Sequence, residues 1–205
     1  MFSENSYILS DPESRECVFI DCGALSYEEV KALTDYVATE QLHPVRLIAT
    51  HGHFDHNFGV PAITKEYGLS LELHEKDEPL LRTMAEQARK LGGIDIGGSD
   101  GWELKCFGDD YTFTLGGYQF TAIHTPGHTK GSVCFYSEGA HLLFSGDTLF
   151  MGTIGRTDLP YGSMFEMTNS LRRLCQLPDE TIVYPGHGPR TTMAQELSTN
   201  PFLDR

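Results

Sequence analysis

Nowhere does the chain carry a run of ~18 apolar residues, so nothing in it reads as a membrane span. Its opening, Met1-Phe2-Ser3-Glu4-Asn5-Ser6, has neither the basic start nor the apolar stretch of an export signal. Basic residues are scarce: 15 Lys and Arg stand against 29 Asp and Glu, a formal net charge of −14. Such a field repels polyanions, and no Lys/Arg run grips phosphates, so nucleic acid is excluded as a partner. Cysteine is scarce too, with five residues at 17, 22, 106, 134 and 175 and no CxxC pair. An odd, scattered set suits a reducing compartment, and the expected location is cytoplasmic. Cys17, Cys134 and Cys175 lie in apolar runs and read as small buried hydrophobes. No Gly-x-Ser-x-Gly elbow offers a serine nucleophile. No linker rich in Pro, Gly or Ser divides the chain, and no short-period repeat occurs. Its 205 residues can bury a substantial core, so 1–205 is expected to be a single domain.

What is present is concentrated in His51-Gly52-His53-Phe54-Asp55-His56. Three imidazoles and a carboxylate directly follow an apolar, β-rich run, Val45 to Thr50. A strand that hands over to four such groups can hold metal at the end of a sheet. Neutral imidazole with carboxylate suits zinc, iron or manganese. The pattern recurs. Tyr118 to His124 runs into Thr125-Pro126-Gly127-His128, His141 to Ser145 into Gly146-Asp147, and Thr181 to Tyr184 into Pro185-Gly186-His187. Each is a strand by its β-branched and aromatic content, and Gly or Pro then turns the backbone tightly. Five His and two Asp at four strand ends suit two metal ions sharing a bridging carboxylate and a water.

Periodicity fills in the rest. Asn5 to Ser10, Glu16 to Cys22, Leu69 to His74, Tyr111 to Thr114 and Gly131 to Ser137 read as further strands. Tyr27 to Thr39 has helical spacing with Ser26 as N-cap. Phe58 to Tyr67, Asp77 to Leu91, Ser163 to Leu177 and Thr191 to Ser198 read as helices. Gly92 to Gly101 holds five glycines and reads as a mobile surface loop, with Trp102 beside it expected over the site. Alternating strands and helices predict layered α/β architecture. Asp21 closes a strand, either as a carboxylate that fixes a ligand imidazole or as a turn residue. His43, His74, His124 and His141 read as structural or solvated. Arg156 and Asp158 could bind substrate or pair with each other, and the pair is favoured. Lys130 and Arg190 could attract an anionic substrate or be solvated surface.

The order His51-x-His53-x-Asp55-His56, His128, Asp147, His187 resembles the ligand pattern of the metallo-β-lactamase superfamily over nearly the whole chain. Asp21 looks like the acidic residue of that family's first motif. Thr125 to Ser132, Ser145 to Phe150, Gly155-Arg156-Thr157-Asp158 and Tyr184 to Gly188 are most similar to glyoxalase II-like thioesterases, that is, to hydroxyacylglutathione hydrolases. The resemblance implies an αββα sandwich of two mixed β-sheets flanked by helices. It implies that His51, His53 and His128 hold one divalent ion, that Asp55, His56 and His187 hold the other, and that Asp147 bridges. Zinc is expected first, with iron or manganese as alternatives, and a metal-bridging hydroxide would attack a small-molecule acyl thioester. Asp55 is the expected catalytic residue, orienting the nucleophile and shuttling a proton.

Two relatives' chemistries compete with this expectation: a mononuclear iron persulfide dioxygenase, and a lactone or β-lactam hydrolase. The superfamily's nucleases are disfavoured by the charge, and its exported antibiotic-degrading members by the missing leader. Di-iron relatives that reduce oxygen carry Glu where this chain has His53. Glyoxalase II continues into a helical region that supplies part of its glutathione site, whereas this chain runs 18 residues past His187. Substrate-binding residues for glutathione are therefore not carried over.

Overall fold

The computed structural model describes residues 3–203; Met1 and Phe2 of the opening stretch, with Asp204 and Arg205, lie outside the described residues. The chain begins with β1 (Tyr7–Ser10), β2 (Glu16–Ile20) and α1 (Tyr27–Thr39). Next come β3 (His43–Ile48), α2 (Val60–Tyr67), β4 (Leu71–His74), α3 (Glu78–Leu81) and α4 (Met84–Gln87). Five strands follow: β5 (Leu104–Phe107), β6 (Thr112–Leu115), β7 (Tyr118–His124), β8 (Val133–Ser137) and β9 (Leu142–Gly146). A short hairpin of β10 (Leu149–Phe150) and β11 (Thr153–Ile154) precedes α5 (Met164–Leu174), β12 (Ile182–Pro185), β13 (Thr191–Thr192) and α6 (Met193–Thr199).

Strands β1 to β5 form one mixed sheet in chain order, antiparallel only between β1 and β2. The second mixed sheet has the order β13-β12-β9-β8-β7-β6, with β9 and β12 its parallel pair. Alternation along each strand assigns the faces. Cys17, Phe19 and Leu47 point to α1 and α2, while Val18, Ile20 and Ile48 point between the sheets at Phe113, Phe120, Phe135 and Phe144. On the far side, Cys134, Leu143 and Val183 meet Met167, Leu171 and Leu174 of α5. The result is the expected αββα sandwich. No helix among the described residues is long and apolar enough to cross a membrane.

Local chemistry explains most element ends. Ser26 accepts the Glu29 amide at 3.1 Å and Glu29 returns to the Ser26 amide at 2.8 Å, a reciprocal cap that starts α1. Gly68, at φ 68°, ends α2 in the left-handed conformation that favours glycine.

Several expectations need correction. β3 begins at His43, two residues before the apolar run expected from Val45. The ladder shifts register between Cys17 and Val18, opposite Pro44, which has no N–H to give it. The helix expected over Asp77 to Leu91 is broken into a turn at Glu75–Asp77, α3, α4 and a wide turn at Ala88–Gly92. The Thr83 hydroxyl takes the Leu80 carbonyl at 2.8 Å and the Gln87 amide takes it at 2.7 Å, competing with the helical ladder. The glycine-rich stretch is tied down: Arg82 donates to the Ser99 carbonyl at 2.6 Å, and Ser99 to the Leu81 carbonyl at 3.0 Å. Trp102 packs on the core beneath α2, beside Val60, Pro61 and Thr64, and away from the His-rich loops.

Candidate metal centre

The parallel directions of β2 and β3, and of β7, β9 and β12, bring their C-terminal ends to one rim of the sandwich. The loops leaving those ends carry Asp21, the segment from His51 to His56, His128, Asp147 and His187. All seven expected ligands converge there. His51, His53 and His128 form one cluster whose ligand atoms lie within 4.8 Å of one another; His51, His56 and Asp147 form another, and Asp55, His56 and His187 a third. Asp147 stands between the groups, with Oδ2 3.3 Å from His128 Nε2 and 3.6 Å from His187 Nε2, and Oδ1 3.4 Å from His56 Nε2.

The outer nitrogen of four imidazoles is engaged, and that fixes which nitrogen carries the proton. The Thr50 hydroxyl donates to Asp21 Oδ2 at 2.8 Å, so it accepts from His51 Nδ1–H at 3.0 Å. His56 Nδ1–H donates to Asp21 Oδ2 at 3.0 Å, His128 Nδ1–H to the Arg156 carbonyl at 2.8 Å, and His187 Nδ1–H to the Ser3 carbonyl at 3.2 Å. Once a ring so held is neutral, its inner Nε2 is a bare lone pair. His128 Nε2 faces His53 Nδ1 at 2.8 Å, and His56 Nε2 faces His187 Nε2 at 3.2 Å. His51 Nε2 and Asp147 Oδ1 are buried with no hydrogen-bond partner. Buried lone pairs with no donor, such as His51 Nε2 and Asp147 Oδ1, are costly unless a cation lies among them. The donor set therefore fits divalent metal.

The electrostatics agree. Burial, then the surrounding imidazoles, push the His51 and His53 pKa values well below the usual range, which keeps both rings neutral. Burial acts the same way on His56, but the Asp147 and Asp21 carboxylates override it and raise that pKa well above the ordinary value. Asp147 is the converse: burial alone would raise it, and His56, His128 and His187 hold it well below the usual carboxylate range.

Asp21 does both jobs expected of it. Its carboxylate holds the His56 ring and the Thr50 amide (2.7 Å), and its backbone turns the chain at φ 58°. Arg156 and Asp158 form the internal pair, at 2.8 and 2.9 Å. Lys130 pairs with Glu166 at 3.5 Å. His74 and His124 stack at 4.5 Å outside the centre and share Asp109, and His141 faces Glu180 at 3.9 Å.

Sequence reasoning missed three residues. Asp77, wholly buried, accepts the Gly52 amide at 2.8 Å, the Thr129 hydroxyl at 2.7 Å and the Gly131 amide at 2.6 Å, tying two ligand loops together. It stands just past the end of β4, the strand-end placement that singled out Asp21. Asn57 donates to the His51 and His53 carbonyls at 3.1 and 2.7 Å. Glu4 lies 4.0 Å from His56 Nδ1, and burial pushes its carboxyl up to about 8. Nothing in the polar opening of the sequence signals that role.

The metallo-β-lactamase superfamily model matches residues 2–187. The chain belongs to that superfamily, and it is a metallo-hydrolase of that family with a His-rich metal site. It is 34% identical to the hydroxyacylglutathione hydrolase GloC of Haemophilus influenzae, over 99% of this chain and 94% of that one. Among solved structures it resembles the BLEG-1 B3 metallo-β-lactamase, at 35% identity and TM-score 0.89, covering 100% of this chain and 96% of that one. It also resembles TTHA1623 in a di-iron-bound form, at 36% identity and TM-score 0.87, covering 98% and 96%.

Proposed function

We propose that the chain is a dinuclear metal-dependent hydrolase of small acyl thioesters, a single domain spanning 1–205 that works in the cytoplasm. The observation that carries this reading is the convergence of five imidazoles and Asp55 around Asp147 at one rim of the sandwich. His51, His53 and His128 would hold one ion, Asp55, His56 and His187 the other, and Asp147 both. Zinc suits this nitrogen-rich set with carboxylates, and iron or manganese fits the same donors. Divalent ions so held lower the pKa of a coordinated water and polarise an acyl oxygen. Asp55, partly buried on the pocket wall, receives the proton of the attacking water at its carboxylate and returns it to the departing thiolate. Asp21 and Arg156 hold the His56 and His128 rings in the tautomers that leave Nε2 bare. Among the described residues no Ser or Cys lines the pocket of about 410 Å³, where Thr153 supplies the hydroxyl. The 34% identity to a hydroxyacylglutathione hydrolase supports a thioester as the acyl group. Five scattered cysteines, four of them buried, support a reducing compartment.

The likeness to BLEG-1 favours a second reading, hydrolysis of a β-lactam amide. Metal analysis of purified protein beside a panel of thioesters, lactones and β-lactams separates the readings. Two ions per chain and thioester turnover are expected. Dominant β-lactam turnover would favour the second reading. One iron with oxygen uptake and no hydrolysis would establish the persulfide dioxygenase chemistry instead.

A further inference from the structure

We propose that a groove beside the metal centre binds an apolar arm of the substrate; this rests on the thioesterase reading above and names its substrate class. The groove has a volume of about 230 Å³ and continues into the metal pocket through His53, Leu91 and Leu159, which line both. One wall is Leu80, Thr83, Gln87 and Leu91, and the other is Leu159-Pro160-Tyr161. An arm lying there reaches the centre on the His53 side.

Both walls are fastened to the ligand loops. Gln87 Oε1 accepts the Phe54 amide at 3.3 Å. The opposite loop is held at its start by His128 donating to the Arg156 carbonyl at 2.8 Å, and at its end by Ser163 donating to the Gly127 carbonyl at 2.8 Å. The groove is thus set at a fixed position relative to the reacting centre, and a bound arm would position the acyl carbon.

Two features mark the groove as a binding surface. Its lips, Leu91 and Tyr161, are 48% and 50% exposed, an apolar pair left in water beside the pocket. Tyr161 also sits at φ 72°, a conformation that costs a non-glycine residue free energy. The following turn maintains it: Gly162 donates to the Leu159 carbonyl at 2.9 Å, and a Cβ on Gly162 would lie 2.5 Å from the Thr157 carbonyl oxygen. Strain that faces a ligand groove is held there by the surrounding contacts.

Charge points the same way. The Lys and Arg side chains lining groove and pocket are Lys90 and Arg156. Lys90 pairs with Glu86 at 2.5 Å and Arg156 with Asp158 at 2.8 Å. A glutathione arm, with two carboxylates, would meet cations already paired and the Glu86 carboxylate. An alkyl arm meets Leu80, Leu91, Leu159, Pro160 and the Tyr161 ring.

The test is a pair of chain-length series run on the metal-loaded enzyme. One series lengthens the acyl group from acetyl to decanoyl on a constant N-acetylcysteamine thiol. The other keeps acetyl and lengthens an alkyl thiol. In one series kcat/KM is expected to rise about fourfold per methylene, the transfer value of one buried CH₂, until the groove is full. The series that responds tells whether the arm is acyl or thiol. Leu91→Asp, at a half-exposed position, should abolish most of that rise. It should also weaken calorimetric binding of a non-hydrolysable octyl thioether by at least about tenfold. Flat series with intact thioester turnover would overturn the groove and leave the thioesterase reading standing, as would S-lactoylglutathione outperforming every alkyl substrate. Absence of all thioester turnover would overturn both.

Discussion

Asp77 Oδ2 accepts the backbone N–H of Gly52 at 2.8 Å, inside the protein and midway between two expected ligands. The same carboxylate holds Thr129 and Gly131, on the loop that carries His128. Asp77→Asn keeps the volume but turns one acceptor into a donor aimed at N–H groups. Metal affinity is expected to fall about 10- to 100-fold, the usual cost of losing an outer partner of a metal site. Competition against a coloured chelator measures this, with Thr129→Val expected to be milder. An Asp77→Asn protein that binds metal like the parent would show that the contact is only scaffolding.

Asp55 and His124 separate the centre from its surroundings. Asp55→Asn removes the proton acceptor and should lower kcat by at least about 100-fold with the fold retained. His124 bonds the Lys130 carbonyl at 2.8 Å and stacks on His74. His124→Gln should therefore cost far less. Equal losses in steady-state assays of the two variants would refute this division.

Chelation should abolish activity and lower the melting temperature, because ions bound only to the folded chain stabilise it, by about 2.7 kcal/mol when the ion is 100-fold above its dissociation constant. Loading should also release protons, since the His56 pKa is raised well above the ordinary value by Asp147 and Asp21 despite burial. Affinity must then weaken as pH falls. Calorimetry in buffers of different ionisation heat gives the proton count, and a count of zero would contradict this.

Glu4 gives the metal-free protein a distinct pH dependence. Burial raises its carboxyl from 4.5 to about 8. A folded-state pKa above the unfolded value means the folded chain holds the extra proton between those values. Stability linked to Glu4 is present below about 4.5 and is lost as pH rises through about 8. Glu4→Gln should remove that slope, at most about 1.4 kcal/mol per pH unit. Urea titrations of parent and variant across pH 4 to 9, both chelated, measure the difference, and parallel curves would rule it out.

A side chain at Gly186 would press into the metal centre. A Cβ there would stand 2.3 Å from Asp147 Oδ1 and 2.7 Å from His56 Cε1. Gly186→Ala should still fold, because the displaced groups lie at the rim, yet bind close to one ion instead of two. Elemental analysis reads this directly, and two ions would mean that Asp147 can move aside.

The strands were legible where both faces of a sheet are buried, because an unbroken apolar run such as Cys17-Val18-Phe19-Ile20 feeds the helix side and the inter-sheet core in turn. The seven residues of the centre were legible because chemistry places them directly after those strands. What stayed hidden depends on partners remote in sequence. Asp77 gains its role from Gly131, 54 residues away, and Glu4 from packing beside His56. The break between α3 and α4 rests on Thr83 and Gln87 side chains bonding a carbonyl, which helical periodicity does not register. Trp102 was misplaced for a related reason: a glycine-rich neighbour suggests motion, while Arg82 and Ser99 pin that stretch to α3.

His56 and His187, whose Nε2 atoms face each other at 3.2 Å, lie 131 residues apart along the chain. At ribosomal speeds of about 5–20 residues per second, roughly 7 to 26 seconds separate their synthesis. Throughout that interval the first sheet can present the loop from His51 to His56 without the partners that complete either cluster. An ion caught early has only local donors and can leave again. Full coordination needs the second sheet docked, so metal bound there would favour the finished sandwich over its half-made precursor.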